Sequence, residues 1–276
     1  MMVKLRCYLR TVLLIAMGLS WFSGAMADLN DGLVAYYPFD GNANDESGNG
    51  NHGTVYGATL TEDRFGNTNN AYDFDGVNDY INATISTSNS FTITAWLNPD
   101  GATEQIEEIF ERADNFNFEY RSGKLAQYTY QNDLLFSNTN LNVNTWNFVV
   151  LSRTPTEVSF YLNGEYDGGG GVSSSIALSG TYNIGSRTGT LYQFDGIIDE
   201  IRIYNRAFSK SEVQQLYQMD NQPSENCWAT YENGNLHIPC VKVKGPFDDD
   251  LHFEADMQYE SLSEPMTFQV TGAKPK

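Results

Sequence analysis

Basic residues are scarce in this chain. Lys and Arg number 16 against 35 Asp and Glu, for a net charge of −19. A surface so acidic excludes general binding to nucleic-acid phosphates. Histidine is scarcer still. His52, His237 and His252 stand in no motif, so neither a Ser/His/Asp set nor a helical His zinc site can be built. Three cysteines (Cys7, Cys227, Cys240) leave no C-x-x-C and no zinc spacing. The one long apolar run, Thr11 to Phe22, is too short for a bilayer core of ~30 Å, and no later stretch is long enough to span one. Helical periodicity is nearly missing, which leaves the β class.

That apolar run has a function of its own. It follows Lys4, Arg6 and Arg10 and ends in Ala25-Met26-Ala27, the pattern of a secretory signal peptide cut after Ala27. The expected products are residues 1–27 as signal and a mature chain with 13 basic and 35 acidic residues, net −22. Localisation is then secreted, periplasmic or at the cell surface. Cys7 leaves with the signal. An even pair, Cys227 and Cys240, in an exported chain predicts a disulfide. Closing that short loop is worth ~3 kcal/mol in the chain-entropy model.

What is present is a series of short strands. Seventeen Tyr, 16 Phe and 24 Gly suit a sheet protein with many turns. Gly32 to Phe39 is the first strand, with Pro38 at its end. Asp40 to Gly53 is a long loop of turn formers rich in oxygen ligands. Thr54 to Thr59, Ala71 to Phe74 and Tyr80 to Ala83 read as strands. Ser90 to Leu97 places Phe91, Ile93, Ala95 and Leu97 on one face. In Asn115 to Arg121, Asn115, Asn117, Glu119 and Arg121 oppose Phe116, Phe118 and Tyr120. Asn163-Gly164 marks a tight hairpin. Gly168 to Gly171 reads as a linker at a loop tip. The chain is organised around Ile197 to Tyr204, whose alternation sets Ile197, Asp199, Ile201 and Ile203 on one side. A carboxylate among isoleucines must meet a cation, a metal or several donors. Ser209-Lys210-Ser211-Glu212 is a capping box opening the one convincing helix. Residues 221–226 are a polar linker. Residues 227–276 form a small β unit, with a hairpin at Asn233-Gly234. Many short strands with turns every ~8–12 residues predict an all-β sandwich or jelly roll.

Five blocks in order carry a family resemblance: Gly32 to Gly41, Ala71 to Gly76, Phe91 to Trp96, Phe160 to Gly164, and Gly196 to Ser209. Together they resemble the laminin G-like domains of the concanavalin A-like lectin/glucanase superfamily. The resemblance covers residues 28–220 and implies a jelly-roll β-sandwich of two antiparallel sheets with one short helix. It also implies a structural calcium ion where the first and last strands meet. By motif, its ligands would be Asp40, Asn42, Gly76 through a turn carbonyl, and Asp199. An EF-hand reading of Asp40 to Asp45 fails, because Asp45 stands where Gly is required and no helices flank it.

Three function classes follow. The first is a non-catalytic recognition module for extracellular glycan or protein, with Tyr120, Tyr128 and Tyr130 as the candidate ligand face. The second is a structural or adhesive surface protein. The third is a glycoside hydrolase. Its nearest carboxylate pattern, Glu254-Ala255-Asp256 with Glu260, has the wrong spacing and lies outside the jelly roll. Glu104, Glu107, Glu108 and Glu111 cluster without the pattern. The sequence therefore predicts no catalytic residue.

Overall fold

The computed structural model describes residues 28–101, 105–112, 116–130, 133–173, 175–189 and 191–221, and the backbone of 230–232, 235–244, 250–259 and 268–275. The backbone divides at Asn221 into two compact units, Met26–Asn221 and one that contains Gln222–Lys276.

The larger unit is a two-sheet sandwich. In chain order its strands are β1 (Leu33–Tyr37), β2 (Thr54–Tyr56), β3 (Thr59–Thr61), β4 (Ala71–Asp75), β5 (Tyr80–Ser86), β6 (Phe91–Pro99), β7 (Ile106–Arg112), β8 (Phe116–Arg121), β9 (Lys124–Tyr128), β10 (Leu134–Asn140), β11 (Asn147–Arg153), β12 (Glu157–Leu162), β13 (Glu165–Gly171), β14 (Ser179–Ile184) and β15 (Asp195–Tyr204). Helix α1 (Lys210–Asp220) follows. One sheet has eight strands in the order β13-β12-β11-β6-β15-β4-β3, with β1 also paired to β15. The other has seven, in the order β10-β9-β8-β7-β14-β5-β2. All pairings are antiparallel.

The core lies between the sheets. Phe91, Ile93, Ala95 and Leu97 of β6 face Phe110, Phe116, Phe118 and Tyr182 of the opposite sheet. Two buried polar links cross it. Tyr37 and Tyr182 share a hydroxyl hydrogen bond of 2.5 Å. Arg153 of β11 donates to Gln127 of β9. The outer face of the eight-stranded sheet has its own apolar cluster, in which Val213 and Leu216 of α1 cover Trp96, Phe148 and Tyr204. So β6 is buried on both faces. The capping box forms: Ser209 Oγ accepts from Glu212 N, and Glu212 accepts from Ser209 N.

Several local expectations change. Thr54 to Thr59 is not one strand. Gly57, at φ 82°, turns the chain so that β2 joins the seven-stranded sheet and β3 the eight-stranded one. Gly168 to Gly171 is no linker but part of the edge strand β13. A Cβ on Gly169 (φ 144°) would stand 2.0 Å from the Val158 carbonyl oxygen, so the close strand contact itself demands glycine. The hairpin before it does form, with Asn163 at φ 50° and Gly164 at φ 83°.

β15 differs most. A bulge at Asp199–Glu200, with Glu200 at φ 52°, shifts the alternation by one residue. Ile198, Ile201 and Ile203 face the core, whereas Asp199 pairs beside Trp96 on the outer face.

The smaller unit is an antiparallel sheet in the order β16-β17-β18-β19, formed by β16 (Thr230–Glu232), β17 (Asn235–Lys244), β18 (Asp250–Tyr259) and β19 (Phe268–Pro275). The signal segment, Cys227, the Asn233-Gly234 turn and the side chain of Cys240 lie outside the described residues.

Gly169→Ala should destabilise the sandwich by about 2 kcal/mol or more in urea unfolding. Gly171→Ala, whose Cβ would stand 3.8 Å from the nearest atom, should fall within about 0.5 kcal/mol of wild type.

Candidate ligand-binding face

The outer face of the seven-stranded sheet is built by alternation against the core. On β8, Phe116, Phe118 and Tyr120 point inward, and Asn117 and Glu119 point outward. Tyr120 is therefore not on the ligand face: it is fully buried in the core and donates to the Gly101 carbonyl at 3.3 Å. Tyr128 and Tyr130 do lie together, with ring centroids 5.7 Å apart and Tyr130 exposed at 44%. Beside them, Leu134 and Phe136 of β10 are exposed.

The segment between β14 and β15 arches over one rim of this sheet. Tyr192 accepts from the Glu108 backbone N–H at 2.8 Å. Arg187 lies over both Tyr130 (5.3 Å to the ring centroid) and Tyr192 (5.5 Å), and donates to the Tyr130 hydroxyl. Both rings are partly exposed, so these are surface cation–ring contacts, worth ~0.5–1 kcal/mol each. Toward the far edge run paired polar side chains: Asn82 with Asn183 at 2.7 Å, Ser86 with Ser179 at 3.1 Å. Tyr56 and Tyr80 end the row as a stacked pair 4.5 Å apart.

Carboxylates occupy the centre. Glu108 and Glu119 stand directly opposite each other on β7 and β8, as do Glu111 and Asn117, and all four are buried. Asn117 donates to one oxygen of Glu108; the other has no hydrogen-bond partner. Burial, reinforced by Glu119, raises the Glu108 carboxyl well above the usual range, and Arg187 works against that. Glu119 is raised by burial and partly offset by Arg121 at 3.3 Å.

The residues named for calcium lie after β1 (Asp40, Asn42), after β4 (Gly76) and on β15 (Asp199). Asp199 meets Arg64 at 2.9 Å, both nearly buried. Asp40 and Asn42 are exposed beside a separate cavity of 380 Å³, and the Asn42 side-chain oxygen accepts from Asn44 N at 2.7 Å. Gly76 packs against Asp195 at the start of β15, four residues from Asp199, or roughly 13 Å along a strand. Among the described residues no three His, Cys, Asp or Glu are grouped to hold a metal. The loop oxygens are engaged locally instead. Asp45 accepts from the backbone N–H groups of Tyr36, Ser47 and Asn51 at 2.8–2.9 Å. Burial opposes its charge, but those donors hold its carboxyl below the usual range.

A family model described as the concanavalin A-like lectin/glucanases superfamily matches residues 48–214, more than half of the chain. The chain belongs to that superfamily. No curated protein matches the sequence. Among solved structures, this concanavalin A-like chain is similar to domain 4 of AbnA, a GH43 extracellular arabinanase from Geobacillus stearothermophilus, in complex with arabinotriose. The identity is 21% and the TM-score 0.56, over 67% of this chain and 98% of that one. The binding domain of Paraclostridial Mosquitocidal Protein 1 is 15% identical with a TM-score of 0.58, over 86% and 67%. The ligand binding domain of botulinum neurotoxin serotype D, in complex with N-acetylneuraminic acid, is 14% identical with a TM-score of 0.57, over 88% and 69%. At these identities the likeness speaks to the fold.

The sequence pattern named Glu107, Glu108 and Glu111 as a cluster but did not separate them. A bulge between Glu108 and Phe110 puts Glu108 and Glu111 on the outer face, while Glu107 reaches the Asp195 N–H at 3.2 Å. Arg187 and Tyr192 carry no periodic signal and are found only from the fold.

Because the folded Glu108 carboxyl is raised, the stability linked to it is full below the unfolded glutamate range and is lost as pH rises through the folded value. Glu108→Gln should therefore unfold at a higher temperature than wild type at pH 8, with the gap closing toward pH 4. Thermal unfolding across that range reads it, and an equal destabilisation at both ends would contradict it.

Proposed function

We propose that this chain is a secreted, non-catalytic recognition module that binds extracellular glycan on the outer face of the seven-stranded sheet. The observation that carries the reading is the cluster of Tyr128, Tyr130, Arg187 and Tyr192, which sets rings and a held guanidinium beside rows of amides and hydroxyls. Rings stack on the C–H faces of sugars, and amides, hydroxyls and guanidinium bind their oxygens. The superfamily fold supports the same class. Two of its solved neighbours carry arabinotriose and N-acetylneuraminic acid.

A hydrolase reading is disfavoured by burial. Glu108 and Glu119 are the opposed carboxylates on this face, and at 0% and 2% exposure neither reaches a scissile bond. A protein partner is the second reading, favoured by the exposed Leu134 and Phe136 beside the tyrosines. The N-terminal basic and apolar run supports export.

The test is a glycan array with the chain from Asp28 to Lys276, followed by calorimetry on the strongest sugar. Tyr130→Ala and Tyr192→Ala should each weaken binding at least about tenfold, or ~1.4 kcal/mol. Sugar binding untouched by both would remove this face from the account.

A further inference from the structure

The other sheet has a cavity of its own. It lies on the outer face of the eight-stranded sheet, beside the loop from β3 to β4, and holds 520 Å³. Its apolar lining is Leu60 of β3, Ile197 of β15 and the half-buried Trp146 ahead of β11. Its polar lining includes Thr61, Glu62, Thr68 and Asn69.

The state of those polar groups sets this cavity apart from its surroundings. Nearby loop side chains are engaged by the fold. Asp63 accepts from Phe65 N and Asn67 N, and Arg64 is held by Asp199 and the Asp220 carbonyl. By contrast, Glu62, Thr68 and Asn69 are exposed, and their side chains make no hydrogen bond or ion pair among the described residues. An exposed carboxylate, amide and hydroxyl thus converge on one space with the indole of Trp146, which packs in part against the apolar cluster under α1.

We infer that this cavity is a second saccharide site, which takes a neutral sugar ring. Trp146 offers a platform for a C–H face. Glu62 and Asn69 accept from sugar hydroxyls, and the Asn69 amide and Thr68 hydroxyl donate to sugar oxygens. The volume falls within the ~300–1,000 Å³ of small-molecule sites. Glu62 and Asp63 line the space and Arg64 is turned to Asp199, so an anionic sugar meets like charge there. The site differs in chemistry from the Arg187 face on the other sheet.

The test is calorimetric titration of the chain from Asp28 to Lys276 with cellotriose, maltotriose and arabinotriose, and with N-acetylneuraminic acid as the anionic probe. Trp146→Ala, Thr68→Ala, Glu62→Gln and Tyr130→Ala are titrated beside wild type. Thr68 and Glu62 are exposed and make no side-chain hydrogen bond among the described residues, so their variants keep the test valid if Trp146→Ala unfolds. The expected result is binding of a neutral trisaccharide that weakens at least tenfold in Trp146→Ala and at least threefold in Thr68→Ala and Glu62→Gln. Tyr130→Ala should leave that binding intact, and N-acetylneuraminic acid should not compete for it. Neutral-sugar binding lost in Tyr130→Ala but unchanged in the cavity variants overturns the second site and leaves the first face standing. Binding lost only in the cavity variants supports the second site and leaves the first face to its own test with Tyr130→Ala and Tyr192→Ala. No binding of any probe overturns this inference.

Discussion

A carboxylate buried on a β-sheet is costly unless a cation, a metal or hydrogen-bond donors meet it, and Arg64 is the partner of Asp199. The pair organises the outer face of the eight-stranded sheet. Arg64 meets Asp199 at 2.9 Å, lies 4.7 Å from the centre of the Trp96 ring, and donates to the Asp220 carbonyl at the end of α1. It thereby places a cation at a helix C-terminus that has no basic residue in its own last turn. Asp220 in turn binds Arg202 at 2.6 Å, and Arg202 binds Glu200 at 2.8 Å. Burial opposes the Arg202 charge, but Asp220 and Glu200 outweigh it. Asp199 feels the opposite balance: burial and Glu200 push its carboxyl up, and Arg64 with the Glu200 N–H pulls it back. This network joins the β3–β4 loop, the central strand and the helix, and so fixes one wall of the Trp146 cavity.

The two sheets consequently present different chemistry on their outer faces. The eight-stranded face carries α1 and the Arg64 loop, with an open cavity beside that loop. The seven-stranded face is a row of amides and hydroxyls bounded by tyrosines. Glu108 and Glu119 at its centre are buried and raised, and Arg187 supplies positive charge at its rim. A superfamily fold that carries many activities says little about which face binds; the side chains on each face have to decide.

Alternation made the fold legible. The faces of β6 and β8, the Asn163-Gly164 hairpin and the Ser209 cap were readable because each rests on local geometry. The reading failed where a single residue changes the register. The bulge in β15 moved Asp199 from the isoleucine side to the outer face, and the bulge in β7 separated Glu107 from Glu108. Tyr120 follows the alternation of Phe116 and Phe118 into the core and not the expectation of a ligand face. Asp199 was seen to need a cation, but its partner stands 135 residues away in a loop with no periodic signal. Separation in sequence also hid the contact of Arg187 with Tyr130, 57 residues away, and the link from Arg153 to Gln127, 26 residues away.

The most direct measurement is a double-mutant cycle of Arg64→Met and Asp199→Asn by urea unfolding, run in calcium and in chelator. Removing one partner leaves an uncompensated buried charge, so each single variant should lose about 3–5 kcal/mol. The double variant should lose less than the sum by at least ~1 kcal/mol, identically in both buffers. Additive losses would contradict a paired Arg64 and Asp199. A wild-type stability that rises with calcium and loses that rise in Asp199→Asn would show that a metal, not the guanidinium, holds the carboxylate.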